Sequence, residues 1–83
     1  MLEIGIMNKH HISKLSDILE KKKSVEFKYN NLFYQIDESS YGGYVVNLYS
    51  SNEKDEDDEY LEENLVDGGL CGGSASDAIW FMV

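Results

Sequence analysis

The chain carries sixteen acidic residues in 83, and half of them fall within the window 53–63. Glu53, Asp55, Glu56, Asp57, Asp58, Glu59, Glu62 and Glu63 are interrupted there by a single cation, Lys54, and by Tyr60 and Leu61. Carboxylates at this density can chelate a hard cation or imitate a polyanion. Chelation by an EF-hand loop fails on register. With Asp55 as the first ligand, Tyr60 falls where the loop needs glycine, and Val66 falls where it needs a bidentate glutamate. Imitation of a polyanion depends on length. Duplex DNA carries one charge per roughly 1.7 Å of axis. Eleven helical residues span about 16 Å, and eight carboxylates there approach the DNA value. Fully extended, the same run spans about 36 Å and is about half as dense. The run therefore resembles a phosphate backbone only if it is helical or folded back, near Asp37, Glu38, Asp67 and Asp77.

The remaining reactive groups are sparse. Neighbouring His10 and His11 point about 100° apart on a helix, so one ligand cluster takes at most one of them. With Cys71 as the only cysteine, the set is too small for structural zinc. A thiol nucleophile needs an oriented base and an oxyanion hole, and nothing in the sequence supplies them. GGLCGGS at 68–74 has no lysine after its last glycine, so it is not a phosphate-cradling loop. No catalytic residue, metal site or cofactor is expected. One cysteine permits no intrachain disulfide, which suits a reducing cytoplasm. No apolar run is long enough for a membrane-spanning helix.

Charge is distributed unevenly. Residues 1–50 balance six acids with six lysines, whereas 51–83 hold ten acids and one lysine, the whole of the net charge of −9. Every basic residue is lysine, so no guanidinium fork is available for phosphate or guanine. Direct binding to DNA or RNA is not expected. An anionic surface instead attracts proteins that themselves bind nucleic acid.

Three strands and two or three helices must position these groups in one small domain, 1–83. Ile12, Leu15, Ile18 and Leu19 form an apolar stripe on a helix that starts after Asn8, an N-cap residue, and ends at Lys21-Lys22-Lys23. Met7 directly precedes this helix, so residues 1–7 read as a loose extension with Met7 an alternative start. Val25, Phe27 and Tyr29 alternate with Glu26 and Lys28 in a strand. Asn30-Asn31 suits a tight hairpin turn. Leu32 to Ile36 and Tyr44 to Tyr49 then read as two further strands. The expected fold is α+β: an N-terminal helix, a three-stranded antiparallel sheet, an acidic segment and a C-terminal helix. Residues 51–59 read as an acidic loop or helix start. A helix from Asp57 or Asp58 through Leu61 and Leu65, stopped by Asp67-Gly68-Gly69, competes with an edge strand over 60–66. Ser74 and Asp77 have the form of a capping box. Ala75, Ala78, Ile79 and Met82 form a helical stripe, and Trp80 and Phe81 are expected to pack.

In size, in the run NEKDEDDEYLEE at 52–63 and in its lack of enzymatic motifs, the chain resembles the small acidic inhibitors of phages and mobile elements. These include DNA-mimic anti-restriction and anti-CRISPR proteins. The resemblance is one of type. It implies a non-enzymatic decoy that binds a basic nucleic-acid-binding protein, such as a nuclease. The contact would run through Glu53, Asp55, Glu56, Asp57, Asp58, Glu59, Tyr60, Glu62 and Glu63, with nearby tyrosines as apolar anchors. The other expectation is a protein-interaction or assembly module, homo-oligomeric through Trp80, Phe81 and Val83, with the acidic run as a solubilising loop.

Overall fold

A computed structural model describes residues 2–81. Five strands and two helices follow in the order β1 (Leu2–Ile4), α1 (Lys9–Lys22), β2 (Ser24–Tyr29), β3 (Leu32–Glu38), β4 (Tyr44–Tyr49), β5 (Leu65–Cys71) and α2 (Ala75–Trp80). The strands lie in sequence order across one sheet. β1 runs parallel to β2, and every other neighbour is antiparallel. The α+β class is as expected. The three-stranded antiparallel sheet is not, because the sheet is mixed and gains a strand at each edge.

Each added strand has a local cause. β1 replaces the loose extension expected at 1–7. Leu2 and Ile4 project to the same face as their partners Phe27 and Tyr29, and Ile4 is buried. A parallel neighbour needs a crossover, and α1 supplies it. β5 replaces the helix expected through Leu61 and Leu65. Only the single 3-10 turn Glu62–Asn64 is helical there. Asp67-Gly68-Gly69, the expected stop, lies inside the strand and pairs with Leu48, Asn47 and Val46. The absence of a side chain at Gly68 is useful here, since a Cβ would come within 2.8 Å of Asn47 Oδ1.

The helices cover one face of the sheet. Ile12, Leu15 and Leu19 of α1 and Ala75, Ala78 and Ile79 of α2 close over Val25, Phe27, Tyr34, Ile36, Val46 and Leu48. Phe27 and Tyr34 stack at 4.7 Å across the β2–β3 pair. Asn8 caps α1 by accepting from His11 N at 3.0 Å. Ser74 and Asp77 close a reciprocal capping box on α2. Ser16 Oγ donates to Ile12 O at 2.6 Å and meets Ser76 Oγ at 3.1 Å, which ties the helices together. Asn30 and Asn31 both have positive φ, 55° and 63°, as a two-residue hairpin turn with the twist of its strands requires.

The C-terminal aromatics depart from expectation. Trp80 is 51% exposed and Phe81 45%. The short α2 turns Ala75, Ala78 and Ile79 inward, so Trp80 and Phe81 fall on its outer side. Met82 and Val83 lie outside the described residues. Among the described residues, no helix is long and apolar enough to cross a membrane.

Candidate acidic interface

The face of the sheet opposite the helices mixes polar side chains with apolar ones, Val45 of β4 among them. Strand alternation places Glu26 and Lys28 of β2, Phe33, Gln35 and Asp37 of β3, and Asn47 and Tyr49 of β4 there. The segment between β4 and β5 folds back over part of this face and carries the acidic run with it.

Tyr60 anchors the fold-back. It is 6% exposed, and its ring stacks on Tyr49 at 4.6 Å with 14° between planes. Lys54 pairs with Tyr60 in an isolated antiparallel bridge. Its Nζ lies 4.8 Å from the Tyr60 ring centroid, 3.3 Å from Glu26 Oε1 and 3.9 Å from Asp58 Oδ1. The one cation within the run is therefore what ties it to the sheet. Its position over an aromatic ring adds a cation–π attraction.

Between Lys54 and Tyr60 the chain makes a tight turn. Asp55 N donates to Glu59 O at 2.8 Å, and Asp55 Oδ1 accepts from Asp57 N at 2.9 Å and Glu59 N at 3.1 Å. Asp58 adopts φ 62°, a left-handed conformation that short polar side chains tolerate. Below the turn, Leu61 N donates to Glu53 O at 3.4 Å, and Ser50 N donates to Asn64 O at 2.8 Å. The run is thus an ordered hairpin. Nine residues doubled back span at most about 15 Å. Six carboxylates lie in that length, where duplex DNA would present about nine phosphates.

Glu53, Asp55, Glu56, Asp57, Asp58 and Glu59 are all exposed along the hairpin, and Glu62 and Glu63 are exposed on the following 3-10 turn. Tyr60, expected at the contact surface, is buried beneath the carboxylates and serves as their anchor. Glu38 instead pairs with Lys23 at 3.4 Å, Asp67 accepts from its own neighbour Gly68 N, and Asp77 caps α2. Of those four outlying acids, Asp37 is the one that joins the hairpin.

Asp37 does so across a groove of about 300 Å³ lined by Gln35, Asp37, Tyr49, Glu59, Tyr60 and Glu62. Burial, and then the nearby Glu26 carboxylate, push the Asp37 carboxyl above the usual aspartate range. Burial also raises the Tyr49 phenol, helped by Asp37, Glu62 and Glu59. The Tyr60 phenol is raised further, first by burial and then by Glu26. Glu26 is close enough to bias that hydroxyl, yet the hydroxyl is buried without a hydrogen bond of regular geometry. Gln35 was not picked out from the sequence. Its only signal is the alternation of β3, which turns Phe33, Gln35 and Asp37 away from the core. Among the described residues, no group of histidine, cysteine or acidic side chains is arranged to hold a metal ion.

Two expected outcomes follow from this geometry. Tyr60→Phe keeps the stacked ring and removes the buried hydroxyl beside Glu26. Its unfolding free energy should equal that of the wild type or exceed it by up to about 1 kcal/mol in urea melts; a loss above that size would show that the hydroxyl is paired. Asp37→Asn should raise the melting temperature at neutral pH, by an amount that solvent screening of this partly buried carboxyl keeps small. The sign comes from linkage. The folded Asp37 pKa is raised above its ordinary value of 3.8. Stability from the protonated form is therefore present in full below that value and is lost as pH rises through the folded pKa. The advantage of asparagine should vanish when the melts are repeated near pH 3.

No protein-family model matches the chain, and neither curated proteins nor solved structures show a match to it.

Proposed function

We propose that the protein is a non-enzymatic inhibitor that occupies the nucleic-acid-binding surface of a basic partner, such as a nuclease or defence complex. The observation that carries this reading is the ordered hairpin. Polyanion mimicry requires compact carboxylates, and residues 53–61 fold back on themselves over Tyr49 and Glu26. Rigid presentation also lowers the ordering cost of binding. A long-range negative field speeds encounter with a basic groove, as complementary charge does in steered complexes. The likeness in size and charge to DNA-mimic anti-restriction and anti-CRISPR proteins supports the same reading.

The test is capture from lysate at low and high salt, with Asp55, Asp57, Asp58 and Glu59 replaced by Ser or Lys in a parallel bait. Wild type should retain basic nucleic-acid-binding proteins at low salt, release them at high salt and lose them on substitution. A retained set that survives both treatments would remove the proposal.

A second reading is an assembly module, favoured by exposed apolar groups elsewhere on the molecule. Leu65, Val66 and Leu70 are exposed on β5, the strand at one edge of the sheet, and Trp80 and Phe81 are exposed at the end of α2. Unprotected edge strands favour pairing with another chain. Sedimentation of the wild type and of Trp80→Ala decides this reading, and monomers in both would eliminate the oligomer.

A further inference from the structure

The groove beside the hairpin has the attributes of a receptor for a single side chain. We propose that it takes one arginine of the basic partner, the guanidinium held among Asp37, Glu59 and Glu62 against the wall formed by Tyr49 and Tyr60. The identity of the donor as a partner protein rests on the inhibitor reading; the chemistry of the groove does not.

Five observations converge on a guanidinium. At about 300 Å³ the groove falls in the size range of small-ligand sites, far larger than a bare ion needs. The described residues also contain no metal-holding cluster. Its lining includes three carboxylates and no basic residue. The adjacent Lys54 is already engaged by Glu26 and Asp58 and covers the Tyr60 ring. Finally, Tyr60, a wall of the groove, has a buried hydroxyl that makes no hydrogen bond of regular geometry and has the Glu26 carboxylate beside it. Orphaned buried polar groups are rare in folded proteins, and a phenol oxygen can accept from a cationic N–H.

Arginine suits this set better than lysine. The acceptors come from three separate segments, β3, the hairpin and the 3-10 turn. A planar fork with five donors can meet several at once, whereas an ammonium is a strongly hydrated point charge. Burial is the first cause of the raised Asp37 and Tyr49 values, with Glu26 second at Asp37 and the groove carboxylates second at Tyr49.

The test uses the isolated protein and a small probe. N-acetyl-arginine amide is titrated into labelled protein at constant ionic strength and followed by NMR, with N-acetyl-lysine amide in a parallel series. Saturable shifts are expected at the Gln35 side-chain amide and the Tyr49 and Tyr60 rings, with arginine binding about tenfold tighter than lysine. Asp37→Asn/Glu62→Gln should lose the response, and Glu53→Gln/Glu56→Gln, outside the groove, should keep it. Equal responses to the two probes would overturn the assignment. So would shifts confined to residues 53–58, or a response unchanged in the groove variant. The spectrum itself reports whether each variant is folded. Arginine binding with no nucleic-acid-binding partner in the lysate experiment would keep the groove and remove the inhibitor reading. The opposite pair of results would do the reverse.

Discussion

Tyr60→Ala is expected to cost about 3 kcal/mol of unfolding free energy and to detach the acidic hairpin from the sheet. Tyr60 is 6% exposed, and its ring is shared by two partners, Tyr49 by stacking and Lys54 by cation–π contact. Removing the ring leaves a void over Tyr49 and takes from Lys54 the surface that holds it beside Glu26. Without that anchor, the mutual repulsion of six carboxylates is opposed only by the turn's own hydrogen bonds and by Lys54. The hairpin should then open, and the charge density should fall toward that of an extended chain. Urea melts give the stability loss, and limited proteolysis gives the opening, as new cleavage at acidic residues within 53–59. A variant as stable and as protease-resistant as wild type would show that the hairpin closes without its anchor. Tyr60→Phe serves as the control, since it keeps the ring.

Neutralising the exposed carboxylates should have the opposite profile, large on binding and small on stability. The informative variant is Asp55→Asn, Asp57→Asn, Asp58→Asn and Glu59→Gln. Asparagine at 55 retains the Oδ1 acceptor that closes the turn through Asp57 N and Glu59 N. Asparagine at 58 tolerates the left-handed φ. The fold should therefore change by no more than about 0.5 kcal/mol. Association with a partner recovered by the lysate capture should slow by roughly 10–1000-fold at low salt, because electrostatic steering acts mainly on the on-rate. Stopped-flow association measured across a salt series reads this directly. The wild-type rate should fall steeply with salt, and the variant's should be nearly flat.

These two profiles separate what the sequence discloses from what only the fold supplies. The helix stripes of Ile12, Leu15 and Leu19 and of Ala75, Ala78 and Ile79 are legible because one-sided burial imposes the 3.6-residue period. β2, β3 and β4 are legible because their inner faces alternate cleanly, as Val25, Phe27 and Tyr29 do against Glu26 and Lys28. β1 is hidden because three residues are too few for a period, and its partner lies beyond a whole helix. β5 is hidden because Asp67, Gly68 and Gly69 have poor intrinsic strand preference. Its pairing comes from β4, a tertiary partner that local propensity does not register.

The acidic site is legible only in part. Its carboxylates stand out in composition, but composition does not distinguish a solvated run from an ordered one. The deciding residues are the bland ones within and opposite the run. Tyr60 reads as surface aromatic, Lys54 as an interruption, and Tyr49 as one more strand residue. Their mutual contact exists only because the 50–64 segment returns over the face opposite the helices. Asp37 and Gln35 become groove residues for the same reason. At Asp37 the structure accepts an ionised carboxylate in a partly buried setting beside Glu26, at a cost in stability. Such retained costs are frequent at functional sites, and this is why Asp37→Asn is expected to stabilise the fold while weakening arginine capture.

The inhibitor reading requires the hairpin and nucleic acid to compete for one surface of the partner. Its most direct measurement is elution: wild-type protein is immobilised, loaded with lysate at low salt, and washed with short duplex DNA at the same ionic strength. The retained basic proteins should leave the column with the DNA, and the four-carboxylate variant should never have held them. Proteins that stay bound in excess DNA, and that bind the neutralised variant equally well, would contradict the inhibitor reading.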